Sequence, residues 1–108
     1  MKRRRVVLVS NFVRNLRTIA ESMVLTRSLR ASLSIVDNAP RILRALPDIG
    51  RPMKGERDAL LKRIIERLGD GQPRELIAGE LLVLYLSGST RISLLAVRHQ
   101  KQSGYSFN

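Results

Sequence analysis

The sequence contains no cysteine, and its 108 residues include only one histidine, two tyrosines and two phenylalanines. Without cysteine the chain can form neither a disulfide framework nor a thiolate metal site, and a single histidine is too few for a histidine-rich metal site. So few aromatic rings exclude a stacking platform of the kind that reads single-stranded bases. We therefore expect a protein that binds no metal and uses no cofactor.

Long apolar segments are also missing. No apolar run is long enough to span a membrane, and the N-terminus lacks the apolar core and small-residue cleavage site of a signal peptide. The length allows one domain, covering residues 1–108, with a modest core. These features predict a cytoplasmic protein that does not contact membranes.

Acidic residues are scarce: nine aspartates and glutamates stand against 20 lysines and arginines, which gives a net charge of +11. A small domain with this charge repels itself, so it favours a polyanion or an acidic partner. As far as Val36 the chain has eight basic residues and one acid, Glu21, which makes its first part a cationic surface. The plainer alternative is a basic, solvated surface that has no dedicated ligand.

The most apolar part of the chain lies near its C-terminal end. The runs Leu81–Leu86 and Ile92–Val97 flank the turn residues Ser87–Thr90, and this pattern predicts a β-hairpin. Because both strands are apolar on both faces, the hairpin should lie in the middle of a sheet. The segment Arg74–Ala78 predicts one more strand, joined to the hairpin by a tight turn at Gly79.

Before these strands, a β-branched run and three segments of helical apolar spacing predict a strand at Val6–Val9 and helices at Asn11–Met23, Leu25–Val36 and Glu56–Leu68. Pro40 should end or kink the second helix, and Leu46–Pro52 should form a rigid connector. The predicted fold class is α+β: an antiparallel sheet made of the N-terminal strand plus the C-terminal three-strand meander, with a helical pair and a short helix packed on one face.

The polar end of the last strand carries the candidate chemistry, since the glycines match no phosphate-binding motif. Regular alternation puts Ile92, Leu94, Ala96 and Arg98 on one side of the strand and His99 on the other, so Arg98 and His99 cannot act together without a bulge.

If RNA is the substrate, Arg98 can stabilise phosphate charge, and His99 or Tyr105 can move a proton. The candidate phosphate- or partner-binding residues are the cations of the connector, the strands and the tail: Arg51, Lys54, Arg74, Arg98 and Lys101. In the alternative, structural interpretation, Arg98 caps backbone carbonyls or pairs with Glu75 or Glu80, while Tyr105 and Phe107 pin the tail to the sheet.

The layout resembles the RelE/ParE superfamily of toxins from bacterial type II toxin–antitoxin systems. The resemblance spans nearly the whole chain and rests on these segments: Leu16-x-x-Ile19, Ile42-Leu43, Leu46–Pro52, Arg74–Leu76, Leu82–Tyr85 and Leu94–Gln100. The P-x-x-G-R element at Pro47–Arg51 and the L-Y strand followed by the R-H strand end are its most specific parts. The first helix departs from the usual ParE pattern, because Phe12 and Asn15 stand where a small residue and an acid are common.

The resemblance implies a toxin that a cognate antitoxin neutralises by wrapping the sheet and helices, and whose complex binds operator DNA through the antitoxin. On this interpretation the antitoxin would contact the cations of the helical pair: Arg14, Arg17, Arg27 and Arg30. ParE-like members poison DNA gyrase and cleave nothing, whereas RelE-like members cut mRNA on the ribosome with basic residues and a C-terminal Tyr or His. The longer helical pair and the Ile49–Pro52 element favour the ParE-like function, with a RelE-like endoribonuclease and a non-toxic basic nucleic-acid-binding module as alternatives.

Overall fold

The computed structural model describes residues 4–53, 59–69 and 71–107, which form five strands and three helices. In chain order the elements are β1 (Arg5–Leu8), α1 (Ser10–Ser22), α2 (Arg27–Ala45), β2 (Arg51–Pro52), α3 (Ala59–Leu68), β3 (Gln72–Ala78), β4 (Leu81–Ser87) and β5 (Arg91–His99). Every predicted strand and helix is present. The short strand β2 was not predicted, and the predicted start of α3 at Glu56 lies outside the described residues.

The strands form one sheet in the order β1-β5-β4-β3-β2. The pairs β5–β4, β4–β3 and β3–β2 are antiparallel, whereas β1 runs parallel to β5, so the sheet is mixed. The predicted α+β class is confirmed, as is the central position of the hairpin, since β4 and β5 each have a neighbour on both sides. Their apolar composition follows from this position, because both faces of a central strand must be covered.

The two faces of the sheet are covered by different helices. Side chains of β4 alternate between the two cores, because Leu81, Val83 and Tyr85 pack with α1 and α2, while Leu84 and Leu86 pack with α3 and the C-terminal tail. The prediction that the short helix shares a face with the helical pair was therefore wrong. We call the two sides the helix-pair face and the α3 face.

The sequence predicted that Pro40 would end or kink the second helix, and α2 does not end there. It continues as far as Ala45 with Pro40 inside it. An interior proline costs roughly 3 kcal/mol through the lost hydrogen bond and steric conflict. The apolar stripe on either side of the proline offsets that cost, because Val36, Ala39 and Leu43 are all buried against the sheet.

The connector before β2 is held by the hydroxyl of Tyr85, which lies on the central strand β4 and is fully buried. The Tyr85 hydroxyl donates to the Pro47 carbonyl at 2.8 Å and accepts from the Gly50 N–H at 2.9 Å. A Cβ at Gly50 would lie 2.6 Å from that hydroxyl, so no side chain fits there. The P-x-x-G-R element and the L-Y strand, which the sequence presents as separate motifs, are therefore one structural unit.

Strand β5 contains a β-bulge. Leu84 pairs with Ala96 and Tyr85 pairs with Leu94, which leaves Leu95 as an extra residue. Leu94 belongs to the helix-pair core, whereas Leu95 and Ala96 both pack on the α3 face. The predicted alternation was therefore wrong beyond Leu94, since Ala96 and the residues after it lie on the opposite side from the one expected.

Helix α1 closes the edge of β5 where β1 ends. Two asparagine side chains replace the missing strand, because the Asn11 amide donates to the Leu95 carbonyl at 3.0 Å and the Asn15 carbonyl accepts from the Val97 N–H at 3.2 Å. Both amides also donate to the Ser106 carbonyl, at 2.9 and 3.2 Å. The two residues thus satisfy the strand backbone and fasten the C-terminal tail at once.

Candidate functional site

The predicted catalytic residues lie at the end of β5 and in the tail, and the structure brings only two of them together. The Arg98 guanidinium lies over the Tyr105 ring, 5.1 Å from its centroid, on the α3 face. His99 follows Arg98 in the strand and points to the helix-pair face. The bulge at Leu95 precedes both residues, so it reverses their faces without placing them on the same one.

A line of polar side chains crosses the α3 face from the tail to β2. The Tyr105 hydroxyl donates to Glu75 Oε2 at 2.6 Å, and Arg51 donates through Nε and Nη2 to Glu75 Oε1 at 3.0 and 2.7 Å. With Arg98 over the phenol ring, these four residues form a continuous chain, Arg98–Tyr105–Glu75–Arg51, which we call the polar chain. Its buried carboxylate is satisfied from both sides, as a buried charge requires.

The environment of Tyr105 makes the phenol a poor proton donor or acceptor. Burial raises the pKa of Tyr105 well above its usual value of 10.0, and the hydrogen bond to the Glu75 carboxylate and that charge raise it further. The positive charge of Arg98 opposes these effects but is the weaker influence. The phenol therefore stays protonated at neutral pH with its proton directed at Glu75, which suits a structural contact better than acid–base catalysis.

His99 is buried, and each of its ring nitrogens lies near a group of the protein. Nδ1 accepts from the Lys101 N–H at 3.1 Å, and Nε2 lies 3.7 Å from Glu80 Oε1. In the sequence, Glu80 lies 19 positions before His99. The acid comes from the turn before β4, which the hairpin register places beside the end of β5.

The predicted phosphate-binding cations do not converge on one point. Arg51 is held by Glu75, Arg74 donates to the Asp48 and Gly50 carbonyls at 3.1 and 2.7 Å, and Arg98 donates to the carbonyls of His99 and Gln102. Arg74 contacts the connector on the helix-pair face, opposite the polar chain. Lys101 is exposed, and Lys54 lies outside the described residues.

The predicted antitoxin-binding cations are all on the two helices of the helix-pair face. Arg14 and Arg17 on α1, and Arg27 and Arg30 on α2, are all exposed. Exposed apolar side chains accompany them on and between the two helices: Val13, Val24, Leu25 and Ile35. The largest exposure is that of Val24, at 84%. The helical pair thus exposes both cationic and apolar side chains, and an acidic, amphipathic segment would complement them.

Sequence reasoning missed two features that matter for this region. The Tyr85 anchor could have been found, because a lone hydroxyl in an apolar central strand must have a buried partner. The second feature is a cleft between Arg5 and Arg91, which are 86 positions apart in the numbering and are brought together only by the parallel β1–β5 pair. No local sequence pattern predicts that pairing.

Within the described ranges, the structure contains no group of three or more His, Cys, Asp or Glu that could hold a metal ion. No helix of those same ranges is long and apolar enough to cross a membrane. No protein-family model matches the chain, and no curated protein matches it. The resemblance to the RelE/ParE superfamily therefore stays a prediction from the sequence.

Both tyrosines are expected to resist ionisation in the folded protein. Burial raises the pKa of Tyr85 and of Tyr105 above 10.0, so the folded state holds protons that the unfolded state has lost above pH 10. Stability from this source is fully present below pH 10 and declines as the pH rises further. A titration of the phenolate absorbance should show little ionisation at pH 10 in the native protein and about half in urea. Matching curves would contradict the buried geometry.

Proposed function

We propose that the chain is the toxin component of a bacterial type II toxin–antitoxin system, of the ParE-like kind. In this proposal it acts in the cytoplasm, inhibits growth by poisoning DNA gyrase, and is neutralised by a cognate antitoxin that binds the helical pair. The proposal rests on the contacts made by Arg98, Tyr105 and His99, the residues that a nuclease would use. Arg98 and Tyr105 are held in internal contacts, and His99 lies on the other face of the sheet.

The helical pair supports the antitoxin part of the proposal. Its exposed arginines and apolar side chains complement an acidic peptide that folds on binding, since such a peptide supplies both carboxylates and an apolar stripe. The net charge of +11 favours the same class of partner. A short reading frame that encodes an acidic protein beside this one would support the assignment.

A RelE-like ribosome-dependent endoribonuclease is the second candidate. The contact between Arg98 and Tyr105 favours it, because a cation and a proton-bearing group lie side by side at the sheet end. This function would need His99 or Tyr105 to leave its present partners when RNA binds. In the ParE-like proposal, the same contacts serve to fix the tail and need not change.

An expression experiment separates the two candidates. The chain is induced alone in bacteria, and DNA breaks linked to gyrase are compared with primer-extension maps of cellular mRNA. We expect gyrase-linked breaks, intact mRNA and loss of supercoiling by purified gyrase. Codon-phased cuts in mRNA would replace the proposal with the nuclease, and normal growth with folded protein would contradict both.

Tyr105→Phe is the matched variant for this experiment. It keeps the ring that packs on the sheet and removes only the hydroxyl. Growth inhibition should persist in the variant if gyrase is the target, because no proton transfer by Tyr105 is involved. Loss of inhibition, in a variant shown to be folded by circular dichroism, would count against the ParE-like proposal.

A further inference from the structure

The cleft between the first residues of β1 and β5 lies apart from every site residue that the sequence singled out. Its walls are Arg5, Thr90, Arg91 and Leu68, and its volume is about 420 Å³. That volume falls within the roughly 300–1,000 Å³ of small-ligand sites. It opens on the α3 face, since Leu68 packs with the α3 core and Val6, the neighbour of Arg5, packs with the other core.

Two arginines meet across this cleft because of strand register. Arg5 and Arg91 are paired residues of the parallel strands β1 and β5, so their side chains leave the sheet side by side. Neighbouring strands lie only about 4.8 Å apart, and like charges in such positions repel. Among the described residues, neither arginine forms an ion pair with an acid. An anion bound in the cleft would relieve this repulsion.

The cleft is also partly organised in advance. Arg91 Nη2 donates to the Leu68 carbonyl at 2.8 Å at the end of α3, which fixes the direction of the guanidinium. Thr90, exposed at the rim, adds a hydroxyl, and its carbonyl accepts from the Arg5 N–H at 3.2 Å. The two arginines and the threonine that line this space carry hydrogen-bond donors that suit the several acceptor oxygens of a tetrahedral phosphate.

We infer that the Arg5–Arg91 cleft binds a phosphate of a nucleic-acid backbone. A polymer of phosphates fits the chain better than a single small anion, because the remaining positive charge of the protein attracts the neighbouring phosphates. None of the described residues that line the cleft is aromatic, so we expect binding that does not depend on base identity. The inference goes beyond the proposed toxin function and leaves the helical pair available for a protein partner.

Fluorescence anisotropy with a short labelled DNA duplex and the purified full chain tests this inference. The variants are Arg5→Gln, Arg91→Gln and the double variant, and the matched control is Arg41→Gln/Arg44→Gln, which removes the same charge from the exposed surface of α2. We expect the double variant to lose about tenfold in affinity and its salt slope to fall by about one unit, as for one lost phosphate contact. The control should lose less than about threefold, through net charge alone.

Arg5→Gln keeps the Arg91–Leu68 hydrogen bond, so it tests the cleft even if Arg91→Gln proves unstable. Equal losses in the cleft and control variants would overturn the inference, since net charge alone would then explain binding. An acidic peptide that binds as tightly as the duplex, with the same dependence on Arg5, would overturn the phosphate assignment.

Amide chemical shifts distinguish the possible sources of phosphate. A dinucleotide with one phosphodiester and inorganic phosphate are titrated separately into the labelled chain, with Thr90 and Arg91 as reporters. We expect the dinucleotide to shift both amides at lower concentration than inorganic phosphate. A response to inorganic phosphate alone would overturn the nucleic-acid assignment. These measurements use no living cells, so their failure is distinguishable from failure of the growth experiment.

Discussion

Replacing Tyr85 by phenylalanine is expected to lower the free energy of unfolding by about 2–4 kcal/mol. The ring would keep its place in the core, but the Pro47 carbonyl and the Gly50 N–H would both lose their buried partner. Leaving a buried polar group unsatisfied costs roughly 1–3 kcal/mol for each group. Urea unfolding followed by circular dichroism measures the loss.

Tyr105→Phe is the control for this measurement, because it removes the hydroxyl from the chain's other tyrosine. Glu75 would keep both hydrogen bonds from Arg51, so the expected loss is only about 1 kcal/mol. The Tyr85 variant should also release the connector, which amide hydrogen exchange at Gly50 would detect. Equal losses in the two variants would mean that the Tyr85 hydroxyl does not anchor the connector.

Replacing Leu43 by alanine should cost about 2–5 kcal/mol, the range for removing a buried leucine. Leu43 lies beyond Pro40 in α2 and is 0% exposed, packed in the helix-pair core. The experiment tests whether α2 passes through the proline, because the rotation of that last turn decides which leucine is buried.

Leu46→Ala is the matched control for Leu43→Ala, since Leu46 caps the same helix and is 55% exposed. Its replacement should change the free energy of unfolding by less than about 1 kcal/mol. A reversed order of the two losses would show that the helix breaks at Pro40 and that the following turn faces the sheet differently. Thermal unfolding of the same variants gives an independent ranking.

The strands and helices were predictable where burial alone determines them. The hairpin of β4 and β5 carries apolar side chains on both faces, and this pattern requires a central position in any sheet. The same pattern also implied cover on both faces, which the prediction of helices on one face overlooked. The alternation of Val83 and Leu84 between two cores is the physical reason that α3 lies opposite the helical pair.

Other features depend on pairings that no local pattern encodes. The bulge at Leu95 changes which face each later residue of β5 occupies, yet Leu95 is one leucine among several similar residues. The helix through Pro40 depends on tertiary burial that outweighs a local penalty. Propensity and turn rules describe residues that are close in the sequence. They fail where contacts with distant segments determine the local structure.

The sequence named candidate site residues but could not give the contacts that each of them makes. The structural alternative for the tail is confirmed in part, since Arg98 does cap backbone carbonyls and Tyr105 does pin the tail. The acids named as possible partners of Arg98 have other neighbours in the structure. Glu75 forms an ion pair with Arg51, and Glu80 lies beside His99. Sequence spacing could place all these groups at one end of the sheet but could not assign partners among them.

The pairing of β1 with β5 also determines when the sheet can form during synthesis of the chain. A ribosome that has not yet released residues 91–99 holds a chain whose first strand has no neighbour, because β5 is the only strand that pairs with β1 in the described sheet. Such long-range closure delays completion of the sheet until β5 has left the ribosome. For the proposed toxin, the sheet would stay incomplete until residues 91–99 have been synthesised, which gives a partner made at the same time the opportunity to meet the chain before it is folded.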